Sequence, residues 1–120
     1  MISPEKQSII DKLQSSAGIR ELNDMQKQTI EKFAGAESLL LLSPTGSGKT
    51  LGFLLPLVSE IIMNGQKGLQ SVILSPSREL SQQIETVFRS LQSKLNAVLL
   101  CGGHSVEDET KKLTRKPDLI

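Results

Sequence analysis

Apolar positions along this chain follow two rhythms, one helical and one strand-like. Ile9, Ile10 and Leu13 recur at helical spacing behind Ser3-Pro4, a capping residue followed by a first-turn proline, and Ala17-Gly18 supplies a stop. A second helix is predicted to open at Asn23 or Asp24, run through Met25, Ile30 and Phe33, and end near Gly35. Leu39-Leu40-Leu41-Leu42 is a short, wholly apolar run between Glu37-Ser38 and Ser43-Pro44; its length and flanks predict a strand buried on both faces of a parallel sheet. Helical character returns from Lys49 to about Asn64, with Asn64-Gly65 as the stop and Pro56 expected to kink the helix or remove a backbone hydrogen bond.

Ser71–Ser75 is the second predicted strand. Apolar residues at 80, 84, 87, 88, 91 and 95 then predict a helix from Arg78 to Leu95, and Ala97–Cys101 a third strand. Ser105 with Asp108 three positions on resembles a capping box opening a short charged helix, and Asp118-Leu119-Ile120 begins a fourth strand. Such alternation calls for an α/β fold: a parallel β-sheet flanked by helices, with right-handed crossovers and ligands bound at the carboxyl ends of the strands.

Composition narrows the reading. A length of 120 residues suits one domain. A net charge of +1 excludes a polyanion binder acting through bulk charge, so nucleic-acid contact must come from a local patch. One cysteine, Cys101, leaves no internal disulfide framework and fits a reducing, cytoplasmic setting. Aromatic residues are confined to Phe33, Phe53 and Phe88, which disfavours stacking several bases on aromatic platforms. No apolar run approaches the length of a membrane span, and the start, Met1-Ile2-Ser3-Pro4, carries no leader pattern.

The strongest chemical signal is Ser43-Pro44-Thr45-Gly46-Ser47-Gly48-Lys49-Thr50, between a predicted strand and a predicted helix. Gly46 and Gly48 allow consecutive N–H groups to face a phosphate, and the following helix adds its positive end. Lys49 would set a cation against the β- and γ-phosphates, and Thr50 would give magnesium a hydroxyl ligand. Hence ATP with Mg2+ is the expected cofactor pair, Lys49 and Thr50 being the residues closest to the chemistry. A Gly-rich surface turn with an incidental Lys-Thr is the plain alternative.

With this loop, and with Ser75-Pro76-Ser77-Arg78-Glu79-Leu80-Ser81-Gln82-Gln83 downstream, the chain resembles the DEAD-box RNA helicases of superfamily 2 along essentially its whole length. That family's loop usually reads Ala-x-Thr-Gly-Ser-Gly-Lys-Thr, so Ser43 is a mild departure. Of its motif Ia, Pro76, Arg78, Glu79, Leu80 and Gln83 match, with Ser77 and Ser81 in place of threonine and alanine.

The resemblance implies a RecA-like P-loop NTPase fold, truncated here. Residues 1–120 would be the N-terminal portion of the first RecA-like domain, with motifs II and III and the second domain absent. It implies an adenine reader at Gln26, whose amide can donate to N7 and accept from N6; a mismatched buried amide would cost about 1–3 kcal/mol. The aromatic expected upstream falls near Ile9, so an aliphatic contact would replace it. RNA would be held by its backbone, sequence-nonspecifically, through Pro76, Ser77, Arg78, Gly102 and Gly103. The parent would be an ATP-dependent RNA helicase working with a second RecA-like domain, and these residues alone inactive, since no Asp-Glu-Ala-Asp motif occurs. A DNA-directed superfamily 2 helicase, a P-loop kinase and a non-hydrolysing nucleotide-dependent RNA-binding scaffold are the competing readings.

Overall fold

In the computed structural model, which describes residues 2–120, five helices are joined by extended segments. Met1, the first residue of the stretch read as lacking a leader, lies outside the described residues. Helix α1 covers Pro4–Ser16, with the Ser3 hydroxyl accepting from the Lys6 N–H and Ala17 closing it. Helix α2, Asp24–Phe33, is closed at its start by a full capping box between Asn23 and Gln26. Helix α3, Lys49–Asn64, ends on Gly65 in the left-handed conformation. Helices α4, Arg78–Ser90, and α5, Val106–Leu113, are capped by the hydroxyls of Ser77 and Ser105.

Helix α3 is the centre of the packing. Leu51, Leu54, Leu55, Pro56, Val58, Ser59 and Ile61 are all buried, an arc wide enough to take neighbours on several sides. Helices α1, α2 and α4 pack against it, contributing Ile10, Leu13, Ile30, Phe88 and Leu91 to one core. Pro56 lies inside α3 without ending it, and its carbonyl accepts from the buried Ser59 hydroxyl at 2.9 Å. Lys6, itself buried, pairs with Glu60 and ties α1 to α3.

The expected sheet departs from this pattern. Among the described residues no strand forms; β pairing is limited to isolated parallel bridges from Leu119 to Ser71 and to Ala97. The pieces of three predicted strands do meet, with 118–120 in the middle: Ile73 N donates to Ile120 O at 2.8 Å, and Val98 N to Leu119 O at 3.1 Å. The Asp118 carboxylate adds a bond from the Asn96 N–H at 2.7 Å.

Leu39–Leu42, expected to be buried on both faces, makes no backbone bond to another segment among the described residues, and Leu40 and Leu42 are 81% and 82% exposed. An apolar run becomes a strand only when partners take its N–H and C=O groups. Here, among the described residues, the run has no hydrogen-bonded partner strand. Leu74 is equally bare at 91%. The radius of gyration, 14.7 Å, exceeds the about 13.6 Å of a fully compact chain of this length, in keeping with those uncovered residues.

The helix expected to reach Leu95 stops at Ser90 because Gln92 and Lys94 take positive φ, 49° and 66°. Its apolar periodicity continues, but the chain has turned to deliver Asn96–Val98 to the bridge with Leu119.

Truncating Leu54, which is fully buried, to alanine is expected to lower stability by about 2–5 kcal/mol in a denaturant titration.

Candidate functional site

The Ser43–Thr50 loop leads straight into α3. Gly46 and Gly48 have φ of 80° and 87°, and Gly48 sits at the N-cap of α3 with no side chain to cap it. The first N–H groups of α3 therefore keep their hydrogen-bonding capacity for another acceptor, reinforced by the positive end of the helix. The first turn contains no acidic residue to neutralise that field, and Lys49 and Thr50 are half-buried in it. Within the loop, the Ser47 N–H donates to the Pro44 carbonyl at 3.2 Å, while the Ser43 and Ser47 hydroxyl oxygens lie 2.5 Å apart.

Helix α2 grips this loop from the side. The capping box sets two amide side chains at its start: Gln26 N donates to Asn23 Oδ1 at 2.9 Å, and Asn23 N to Gln26 Oε1 at 3.0 Å. The remaining atoms reach across. Asn23 Nδ2 donates to Ser47 O at 2.9 Å and Gln26 Nε2 to Gly48 O at 3.2 Å. A Cβ at position 48 would lie 2.5 Å from Gln26 Nε2, so glycine is required there both by its φ and by this contact. Gln26 is 6% exposed; after these bonds its amide retains one N–H and one acceptor lone pair.

Gln26, Thr45, Gly46, Gly48, Lys49 and Thr50 line one cleft of about 890 Å³. Its other wall comes from Ser75 and from Leu80, Gln83 and Ile84 of α4. No Asp or Glu lines it. Its apolar lining includes Ala17, Ile19 and Phe53, whereas Ile9, nearest the expected aromatic position, packs against the core.

The downstream residues form a second cluster. Pro76, Ser77 and Arg78 are exposed at the start of α4, where the Ser77 hydroxyl accepts from the Leu80 N–H at 3.2 Å. Arg78 Nη2 donates to the Gly102 carbonyl at 2.5 Å, and a Cβ at Gly103 would lie 3.0 Å from that same nitrogen. Residues 76–78 and 102–103, distant in sequence, thus share one exposed surface. The guanidinium keeps further N–H donors for an anion.

Among the described residues no group of three or more His, Cys, Asp or Glu could hold a metal. Thr50 gives one hard oxygen, which suits an ion that takes its other ligands from phosphate and water. The residues present fit a nucleotide-borne magnesium and do not form a protein cage for one.

Two contacts at the candidate site were not legible in the motifs: the Asn23 amide on the Ser47 carbonyl and the Arg78 bond to Gly102. The Asn-x-x-Gln spacing at 23–26 was the available signal for the first. Nothing local signals the second.

Comparison with known proteins bears on this geometry. The family model described as DEAD/DEAH box helicase matches residues 23–120. The chain is 38% identical over 109 residues to the ATP-dependent RNA helicase DBP10 of Eremothecium gossypii, covering 88% of this chain and 11% of that protein. It is 38% identical over 116 residues to the probable ATP-dependent RNA helicase YfmL of Bacillus subtilis, covering 95% and 31%. It thus spans about a tenth to a third of the length of these relatives.

Among solved structures, the RNA helicase Prp28 of Chaetomium thermophilum bound to ADP superposes with a TM-score of 0.74 at 31% identity, over 98% of this chain and 31% of that one. A hypothetical ATP-dependent RNA helicase of Sulfolobus tokodaii gives 0.76 at 20% identity, over 93% and 32%, a likeness of fold.

Gly48→Ala is expected to displace the Gln26 amide and strain the loop, at a cost of about 1–3 kcal/mol, read as a lower thermal unfolding midpoint.

Proposed function

The chain belongs to the DEAD/DEAH box helicase family, and from that membership we propose that it is the ATP-binding part of an ATP-dependent RNA helicase. The observation that carries this reading is the convergence of the uncapped α3 terminus, Lys49 and the Gln26 amide on one cleft free of acidic side chains. Each feature recognises a different part of the same ligand. The N–H groups from Gly46 to Thr50 and the Lys49 ammonium bind the phosphates. The free N–H and lone pair of Gln26 read adenine, with aliphatic contact from the same cleft, which Ala17 and Ile19 help to line. Thr50 would hold magnesium, which when bound neutralises phosphate charge.

RNA is the proposed partner of the second cluster. The first N–H groups of α4 and the remaining Arg78 donors meet a phosphate, and Gly102 and Gly103 let the backbone come close. Coupling of the two clusters would run through α4, whose Leu80 and Gln83 line the nucleotide cleft one turn beyond Arg78. The proposed domain is the N-terminal portion of the first RecA-like domain, its parallel sheet completed by further strands, acting in the cytoplasm with a second RecA-like domain. No helix among the described residues is long and apolar enough to cross a membrane.

Hydrolysis needs a carboxylate to hold magnesium and a group to orient water, and among the described residues the cleft has no carboxylate. These 120 residues alone therefore bind nucleotide without RNA-stimulated turnover.

Lys49→Ala is expected to weaken ATP binding at least tenfold by equilibrium titration; undiminished affinity would overturn the phosphate-loop reading. Gln26→Ala is expected to erase most of a preference for ATP over GTP of about tenfold or more, a difference checked by competing the two nucleotides. Arg78→Ala is expected to weaken binding to single-stranded RNA of any sequence and to flatten its salt dependence by up to about one unit of slope.

A further inference from the structure

Ser47 is held on three sides. Its hydroxyl lies 2.5 Å from the Ser43 hydroxyl, its N–H donates to the Pro44 carbonyl at 3.2 Å, and its carbonyl accepts from Asn23 Nδ2 at 2.9 Å. A phosphate cradle works by turning consecutive backbone N–H groups inward. The Ser47 N–H, in the middle of the loop, is turned onto the loop's own carbonyl instead. Taking a phosphate on this N–H requires the Pro44–Ser47 turn to open, and the Ser43 hydroxyl is placed to resist that opening. An alanine or glycine at position 43 has no hydroxyl to offer, so the restraint comes from the residue this chain carries there.

We propose that Ser43 is a positioning residue whose hydroxyl, by holding Ser47, keeps the phosphate loop in its closed turn and so sets how readily the loop accepts a nucleotide. The inference rests on the phosphate-binding reading of this loop. It gives Ser43 the role of a restraint on the residue that makes the contact. Apparent affinity scales with the fraction of molecules in the competent arrangement. Removing one neutral hydrogen bond from the closed turn shifts that balance by about threefold to tenfold. Loss of the hydroxyl therefore tightens binding, a direction that simple damage to the fold does not produce.

The test is equilibrium binding of ATP and of ADP, each with magnesium, to the full-length protein and to Ser43→Ala, Ser43→Thr and Lys49→Ala. Ser43→Ala is expected to bind both nucleotides about threefold to tenfold more tightly, and Ser43→Thr to stay near wild type because it restores the hydroxyl. Unchanged or weaker binding by Ser43→Ala overturns the proposal. Should that variant not fold, Ser47→Ala removes the other hydroxyl and is read the same way.

Lys49→Ala separates the two readings: if it binds ATP like wild type, the loop is not the phosphate site. The restraint is then judged by hydrogen exchange of the Ser47 N–H with no nucleotide added. Faster exchange in Ser43→Ala supports the restraint, and equal exchange overturns it.

Discussion

Helix α3 has to satisfy two opposed demands, and the remaining structure is arranged around them. Its body must be buried on several sides, because Leu51, Leu54, Leu55, Val58 and Ile61, together with Pro56 and Ser59, take up more than half of its circumference. Its first turn must stay open to an anion, because that is where the unpaired N–H groups and the positive end of the helix lie. Helices α1, α2 and α4 meet the first demand by closing around the body. The second is met by Gly48, which occupies the cap position without a side chain that would consume those N–H groups.

A terminus left open in this way needs support from elsewhere, and α2 gives it. The capping box at Asn23 and Gln26 does local work, satisfying the N–H groups at the start of α2. The same two side chains then hold the Ser47 and Gly48 carbonyls, so the cap of one helix shapes the loop that opens the next. Burial of Gln26 makes this contact rigid. A buried amide with one donor and one acceptor still free is suited to reading a base edge, since leaving either unmatched is costly. Closing the start of α2 and shaping the loop that opens α3 are in this way done by one side chain.

The second cluster has the same logic with weaker restraint. Arg78 is exposed, and its bond to the Gly102 carbonyl fixes the guanidinium between the start of α4 and the glycine turn. Contacts of that kind bind a repeated phosphate backbone and do not distinguish bases. The near-neutral net charge and the three phenylalanines agree: attraction is local, and there are few aromatic faces on which bases could stack.

The sequence alone determined what depends on near neighbours. Helix starts were legible at Ser3, Asn23, Ser77 and Ser105 because a cap is an interaction across three residues, and the turn at Gly46–Gly48 leading into α3 was legible because its glycines lie within a few positions of the helix start. The sheet was not, because a strand is made by its partners. Leu39–Leu42 reads as buried yet has no strand paired with it among the described residues, while 118–120 is held because the segments at 71–73 and 96–98 reach it from both sides. Likewise the motifs named Gln26 and Arg78, but only the tertiary structure decided what each holds. Gly48 and Gly102 lie more than twenty residues away from them, and hydrogen bonds at that separation depend on how the helices pack and not on local pattern.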